Sequence, residues 1–299
     1  MTPSQGLHAV LLTCQTQILA NAGPIAGAEF GPEHVHQLRV GLRRLRSGLR
    51  LFGGVLPELQ PALLVLSEAT AAFFRLLGET RDGDVLASLW GPAVQAALRA
   101  AGLEPAAVSD VAAAVPPSLA TTNVNVVQIV QAAPQQAMLA ELARLIEQLA
   151  QPAARLRRRK AASSAPQKPP QTPLLALLRR RLQRWQTQVC ADAARFAELD
   201  IEARHQLRKR LKRLRYGLEF YSQLVPARRS RSTLKPLQQA QQVLGELNDL
   251  ALAISVSRAE LANNPQAWFA LGWLSAQQQQ LLDSALPVMQ RLAAADAAP

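Results

Sequence analysis

The chain has 299 residues, a net charge of +12 from 33 Lys+Arg against 21 Asp+Glu, and only 4% aromatic side chains. Its two cysteines, Cys14 and Cys190, exclude a disulfide framework and leave too few thiols for a structural zinc site. No stretch holds the roughly 18 to 20 uninterrupted apolar residues that cross a bilayer. The apolar run from Leu7 to Ala20 has no preceding Lys or Arg and is broken by Gln15 and Gln17, so it does not read as a signal peptide. A soluble protein of the reducing cytoplasm is expected.

Alanine, leucine, glutamine and arginine dominate, which favours helix over sheet. The predicted fold class is all-α. A first helix is predicted over 5–22, ended by the Gly/Pro-rich stretch from Gly23 to Pro32. Pro32 opens a second, from His36 to Phe52. Helices over 58–78 and 84–100 follow, with Asp82 placed as an N-cap. NVNVVQIV, Asn123 to Val130, is the nearest approach to a β-run but too isolated to build a sheet. Residues 102–134 receive no assignment, and helix returns over 135–150. The basic, Pro/Ser/Ala-rich segment 153–173 reads as a linker between an N-terminal half, 1–152, and a C-terminal half, 174–299. Helices over 174–197, 203–223, 233–247, 249–262 and 266–293 complete the second half.

The two halves share a sentence. HQLRVGLRRLRSGLRLF, His36 to Phe52, returns 169 residues later as HQLRKRLKRLRYGLEFY, His205 to Tyr221, with ten of seventeen positions identical. Leu77-Gly78-Glu79 with Asp82 returns as Leu244-Gly245-Glu246 with Asp249. Such self-similarity marks an internal duplication.

At about 100° per residue, His36, Arg39, Arg43, Arg46 and Arg50 fall on one stripe of their helix, opposite Leu38, Leu42, Leu45 and Leu49. His205, Arg208, Lys212 and Arg215 take the same stripe in the second copy, flanked by Lys209. Arg44 and Arg213 lie at the stripe's edge. Surface helices ordinarily intersperse acids with bases, because like charges at i,i+4 cost a few tenths of a kcal/mol each. Neither stripe holds an acid before Glu219. Residues 1–152 carry 9 Arg against 11 Asp+Glu, so the first stripe is not a by-product of general basicity. Guanidinium groups suit phosphate, to which their planar fork donates two parallel hydrogen bonds. Both stripes therefore point to an extended polyanion.

These helices resemble those of the CHAD family, the conserved histidine α-helical domain. The resemblance rests on the two His-x-x-Arg-x-x-x-[Arg/Lys]-x-x-Arg segments, on Arg81-Asp82 with Asp84, on Arg215-Tyr216 with Glu219, and on Leu247-Asn248-Asp249. It implies two four-helix-bundle-like halves related by a pseudo-twofold axis, with basic residues lining a shared groove or cavity. It also implies binding of inorganic polyphosphate and association with polyphosphate granules. By resemblance and wheel together, the polyphosphate-binding set is His36, Arg39, Arg43, Arg46, Arg50, His205, Arg208, Lys209, Lys212 and Arg215, with Arg44, Arg81 and Arg213 as outer members. The histidines are expected in the first turn of their helices, where imidazole and backbone N–H groups both donate to an anion, tightening binding at mildly acidic pH. Glu79 with Asp82, and Glu246 with Asp249, are expected to cap helices or orient arginines.

A catalytic role is not expected: the chain has no phosphate-cradling Gly-rich loop, no HExxH and no carboxylate cluster suited to two metal ions. No cofactor is predicted. Glu33, His34 and His36 are the one metal-like cluster, and they lack further ligands. The rival partner is nucleic acid, bound nonspecifically through its backbone, although neither stripe offers aromatics for base stacking. A less favoured alternative is a phosphohydrolase or histidine phosphoacceptor acting on polyphosphate.

Overall fold

The computed structural model describes residues 2–78, 90–102, 123–150, 174–225, 234–262 and 267–294. Ten α-helices and no strands are found among them: α1 (Pro3–Ala26), α2 (Pro32–Phe52), α3 (Gln60–Leu76), α4 (Gly91–Ala100), α5 (Asn123–Gln131), α6 (Ala133–Ala150), α7 (Leu174–Ala194), α8 (Ile201–Leu224), α9 (Leu234–Glu260) and α10 (Ala267–Ala293). The all-α expectation holds. The 153–173 linker, with its Arg155 to Lys160 cluster, and Glu79, Arg81, Asp82 and Asp84 lie outside the described residues.

Several boundaries depart from the sequence reading. Helix α1 does not stop at Gly23 but runs through Pro24 to Ala26. Pro24 cannot donate to the carbonyl of Ala20, a loss confined to the last turn, and the chain leaves the helix by Ala28, the one described non-glycine residue with positive φ, 60°. NVNVVQIV is helical rather than extended, packing Val126 and Val130 into the core beside α1. The stretch from Leu234 to Glu260 is one helix, not two, because nothing at Leu247-Asn248-Asp249 breaks it. Glu246 and Asp249 therefore lie inside a helix and cap nothing. Both histidine helices begin four residues before their histidines, at Pro32 and Ile201. His36 and His205 thus sit beyond the first turn, and their backbone N–H groups are already within the helical ladder.

The leucine faces explain the packing. Leu38, Leu42, Leu45 and Leu49 of α2, and Leu207, Leu211, Leu214 and Leu218 of α8, are buried in one core. Helix α1 packs along α2, α7 along α8, and α2 also meets α8. Two glycines at matched repeat positions permit this. A Cβ on Gly48 would lie 2.7 Å from Val10 of α1, and one on Gly217 would lie 2.7 Å from Leu182 of α7. A smaller cluster joins Val94 and Leu98 of α4 to Leu250, Ala253, Ala270 and Leu274, so a helix from before residue 152 packs against α9 and α10.

Candidate anion-binding cleft

With their leucines committed to the core, α2 and α8 bring basic faces to a common cleft of about 640 Å³, completed by α3 and α9. Arg39, Arg43, Arg46, Arg50 and Arg75 line it from the first half, and Arg208, Lys209, Arg210, Lys212 and Arg213 from the second. Asp249 is the one carboxylate among these lining residues. Ten cations around one acid is an arrangement that an anion stabilises.

Phe74 organises the first half of the cleft. The guanidinium carbons of Arg39, Arg43 and Arg46 lie 4.5, 5.4 and 5.9 Å from its ring centroid. Cation–π attraction of this kind contributes roughly 0.5–1 kcal/mol at exposed sites, enough to orient three flexible side chains. Arg39, only 7% exposed, also donates to the Phe74 carbonyl at 3.3 Å, which ties α2 to the last turn of α3. Burial lowers the Arg46 pKa, and the neighbouring Arg50 and Arg75 charges lower it further. Its Nε is buried without a hydrogen-bond partner among the described residues.

On the second half His205 lines the cleft, and its Nδ1 contacts Asn248 Oδ1 at 2.9 Å. Asn248 in turn donates to Asp249 Oδ1 at 3.4 Å. With Asn248 donating from its nitrogen, its oxygen accepts, which assigns the Nδ1 proton to His205 and leaves Nε2 to face other partners. Lys212 is 9% exposed. Arg210 pairs with Asp192 of α7 while lining the cleft. The matched arginines keep matched neighbours: a Cβ on Gly78 would stand 3.5 Å from Arg39 Nη1, and one on Gly245 would stand 3.9 Å from Arg208 Nη2.

Of the ten residues in the predicted binding set, eight line this cleft: Arg39, Arg43, Arg46, Arg50, His205, Arg208, Lys209 and Lys212. His36 and Arg215 do not. Arg215 Nε lies 3.6 Å from Glu219 Oε1 and its guanidinium stands over Tyr216 at 4.8 Å. The intrahelical acid four residues on holds it, an i,i+4 pairing that the wheel alone does not rank against a distant ligand. Arg44 lies 3.9 Å from the other Glu219 oxygen. Arg213, an expected outer member, does line the cleft and stacks on Trp185 at 4.7 Å. Phe74, Arg75 and Arg210 were not singled out by the sequence. The first two stand on α3, outside the repeated segment, and Arg210 replaces Gly41 of the first copy.

The Glu33, His34 and His36 cluster has other duties. His34 Nδ1 accepts from the Gly31 N–H at 3.1 Å, and Glu33 accepts from Gln37 at 2.6 Å. No group of three or more His, Cys, Asp or Glu is placed to hold a metal ion among the described residues. Among those residues, too, no helix is long and apolar enough to cross a membrane.

The fold has counterparts among solved structures. The chain is similar to the crystal structure of the CHAD domain from the plant Ricinus communis, with 26% identity, a TM-score of 0.69, and coverage of 100% of this chain and 94% of that one. It is also similar in fold to PptA from Streptomyces chartreusis, with 20% identity, a TM-score of 0.59, and coverage of 98% and 99%. No curated protein sequence matches it. The CHAD domain family model matches residues 9–258, five-sixths of the chain, and the protein belongs to that family.

Proposed function

We propose that the protein binds inorganic polyphosphate without processing it, in the cleft between α2 and α8, and that this binding brings it to cytoplasmic polyphosphate granules. The observation that carries the reading is the convergence of five basic side chains from each half on one cleft, with a single carboxylate among its described lining residues. Membership of a family associated with polyphosphate binding supports it. From Arg39 to Arg50 the α2 track is about 16 Å long at ~1.5 Å per residue, a length suited to a chain of phosphates rather than to one. The cleft is rich in donors and poor in proton acceptors, which favours holding phosphate over hydrolysing it. Its cations converge on an inner cleft instead of spreading over an outer face, which favours a thin single chain over a duplex.

Binding of labelled long-chain polyphosphate, with excess duplex DNA as competitor, tests the reading. Tight binding that resists DNA, collapses in an Arg43→Gln/Arg46→Gln/Arg208→Gln/Lys209→Gln variant and releases no orthophosphate is expected. Equal displacement by DNA would leave a nonspecific basic protein, and steady orthophosphate release would make it a hydrolase.

A further inference from the structure

A second pocket of about 330 Å³ adjoins the cleft, and the two share Arg50 and Arg213. Its composition differs from the cleft's. Arg181 of α7 is its third cation, and no acid lines it among the described residues. Leu49, Leu63, Leu64 and Trp185 supply apolar surface, while Gln60 and Ser67 supply uncharged hydrogen-bonding groups. Arg181 is locked in place, donating to the carbonyls of Arg50 at 3.2 Å and Leu51 at 2.6 Å near the end of α2. The Arg213 guanidinium carbon stands over the Trp185 ring, 4.7 Å from its centroid.

A pocket that merely lengthened the phosphate track would need cations alone, and a bare phosphate chain would leave its leucine and indole wall wet. The pocket fits an anion that ends in a flat, partly apolar group. An indole face and a guanidinium at one pocket offer stacking surface for a nucleobase, and the volume lies at the lower end of the roughly 300–1,000 Å³ of small-molecule sites. Because Arg50 and Arg213 stand at the junction, a phosphate esterified to the seated group lies at the mouth of the cleft. We propose that this pocket seats the nucleoside of a nucleoside 5′-polyphosphate whose phosphate chain runs into the cleft, an inference that rests on the cleft's binding phosphate chains. Burial lowers the pKa of Arg213, and the adjacent Arg50 and Arg210 lower it further, so an ester phosphate at the junction relieves a crowding of cations.

The test compares adenosine 5′-tetraphosphate with linear tetrapolyphosphate, by calorimetric titration of the full chain. Their phosphate counts match, and the ester carries one ionisable oxygen fewer, so tighter binding of the nucleoside form comes from the nucleoside and not from charge. Stacking of one base predicts at least about fivefold tighter binding of the nucleoside form. Trp185→Leu should abolish that advantage, so that the two ligands bind equally. Because Trp185 also packs near Gly217, a second variant fills the pocket from the half-buried Ser67 instead: Ser67→Phe should remove the advantage equally. Equal affinities for the two ligands, or an advantage that survives both substitutions, would overturn the nucleoside pocket while leaving polyphosphate binding intact. Failure of both ligands and of long-chain polyphosphate to bind would sink the two readings together.

Discussion

Arg46 and Arg215 occupy equivalent-looking steps of the repeated helices, yet their surroundings separate them. Arg46 lines the cleft, whereas Arg215 lies outside its lining and forms an ion pair with Glu219, although the Nε of each is buried without a hydrogen-bond partner among the described residues. Hydrogen bonds from a charged donor contribute about 1.5–3 kcal/mol, so Arg46→Gln is expected to weaken polyphosphate binding by roughly ten- to a hundredfold. Arg215→Gln should change it by less than about threefold and instead cost up to about 1 kcal/mol of stability, since its ion pair with Glu219 is partly exposed. Titration of the two variants under one salt condition decides between them, and a larger loss for Arg215→Gln would put the phosphate track elsewhere. Cys14 offers a pH prediction at the same scale. Burial pushes its thiol from the usual 9.0 up to about 12, against a small opposing effect of Arg44. The unfolded thiol ionises first, so the unfolded state holds fewer protons between those values and stability falls as pH rises from 9.0 toward 12. The denaturant midpoint should drop over that range, and drop less in Cys14→Val.

The helix pairs depend on glycines whose roles can be told apart by what a methyl group would meet. At Gly48 and Gly217 it would press on Val10 and on Leu182 with Trp185, in tightly packed interfaces. Gly48→Ala and Gly217→Ala should each destabilise by about 1–3 kcal/mol, the usual cost of overpacking. At Gly245, inside α9, the nearest atom would be 3.9 Å away. There the helical preference of alanine prevails, and Gly245→Ala should stabilise by about 0.5–1 kcal/mol. Urea unfolding of the three variants checks both signs. The elements carrying these glycines were legible in the sequence because leucines recur at helical spacing in Leu38 to Leu49 and Leu207 to Leu218. Their ends were harder to read: Pro breaks helices and Asp caps their starts on average, and here Pro24 and Asp249 are each accommodated inside one. The candidate cleft was legible along the two repeated helices and not beyond them. A wheel places charges around one axis, so it could not show that Phe74 and Arg75 arrive from α3, or that Glu219 claims Arg215.

At the scale of the whole molecule, the question is whether the halves bind two chains or share one. Both basic faces open into the same cleft, and buried side chains from both halves belong to one hydrophobic cluster, so one ligand in the cleft can reach both faces. A single chain crossing from the α2 arginines to the α8 cations meets both. Each phosphate that a cation neutralises adds about 0.7 to the magnitude of the log–log salt slope for a single-stranded polyanion. If one chain spans the cleft, Arg43→Gln/Arg46→Gln and Arg208→Gln/Lys209→Gln should each lower that slope by about 1.4, keep a stoichiometry of one chain per protein, and lose affinity for the same ligand population. If the halves bound separately, each double variant would leave one intact class of sites with wild-type affinity and halve the amount bound. Titrations at several salt concentrations with chains long enough to cross the cleft distinguish the two. A biphasic isotherm in either variant would rule out the shared chain, because a ligand held by both halves at once cannot lose one half's cations without weakening every complex.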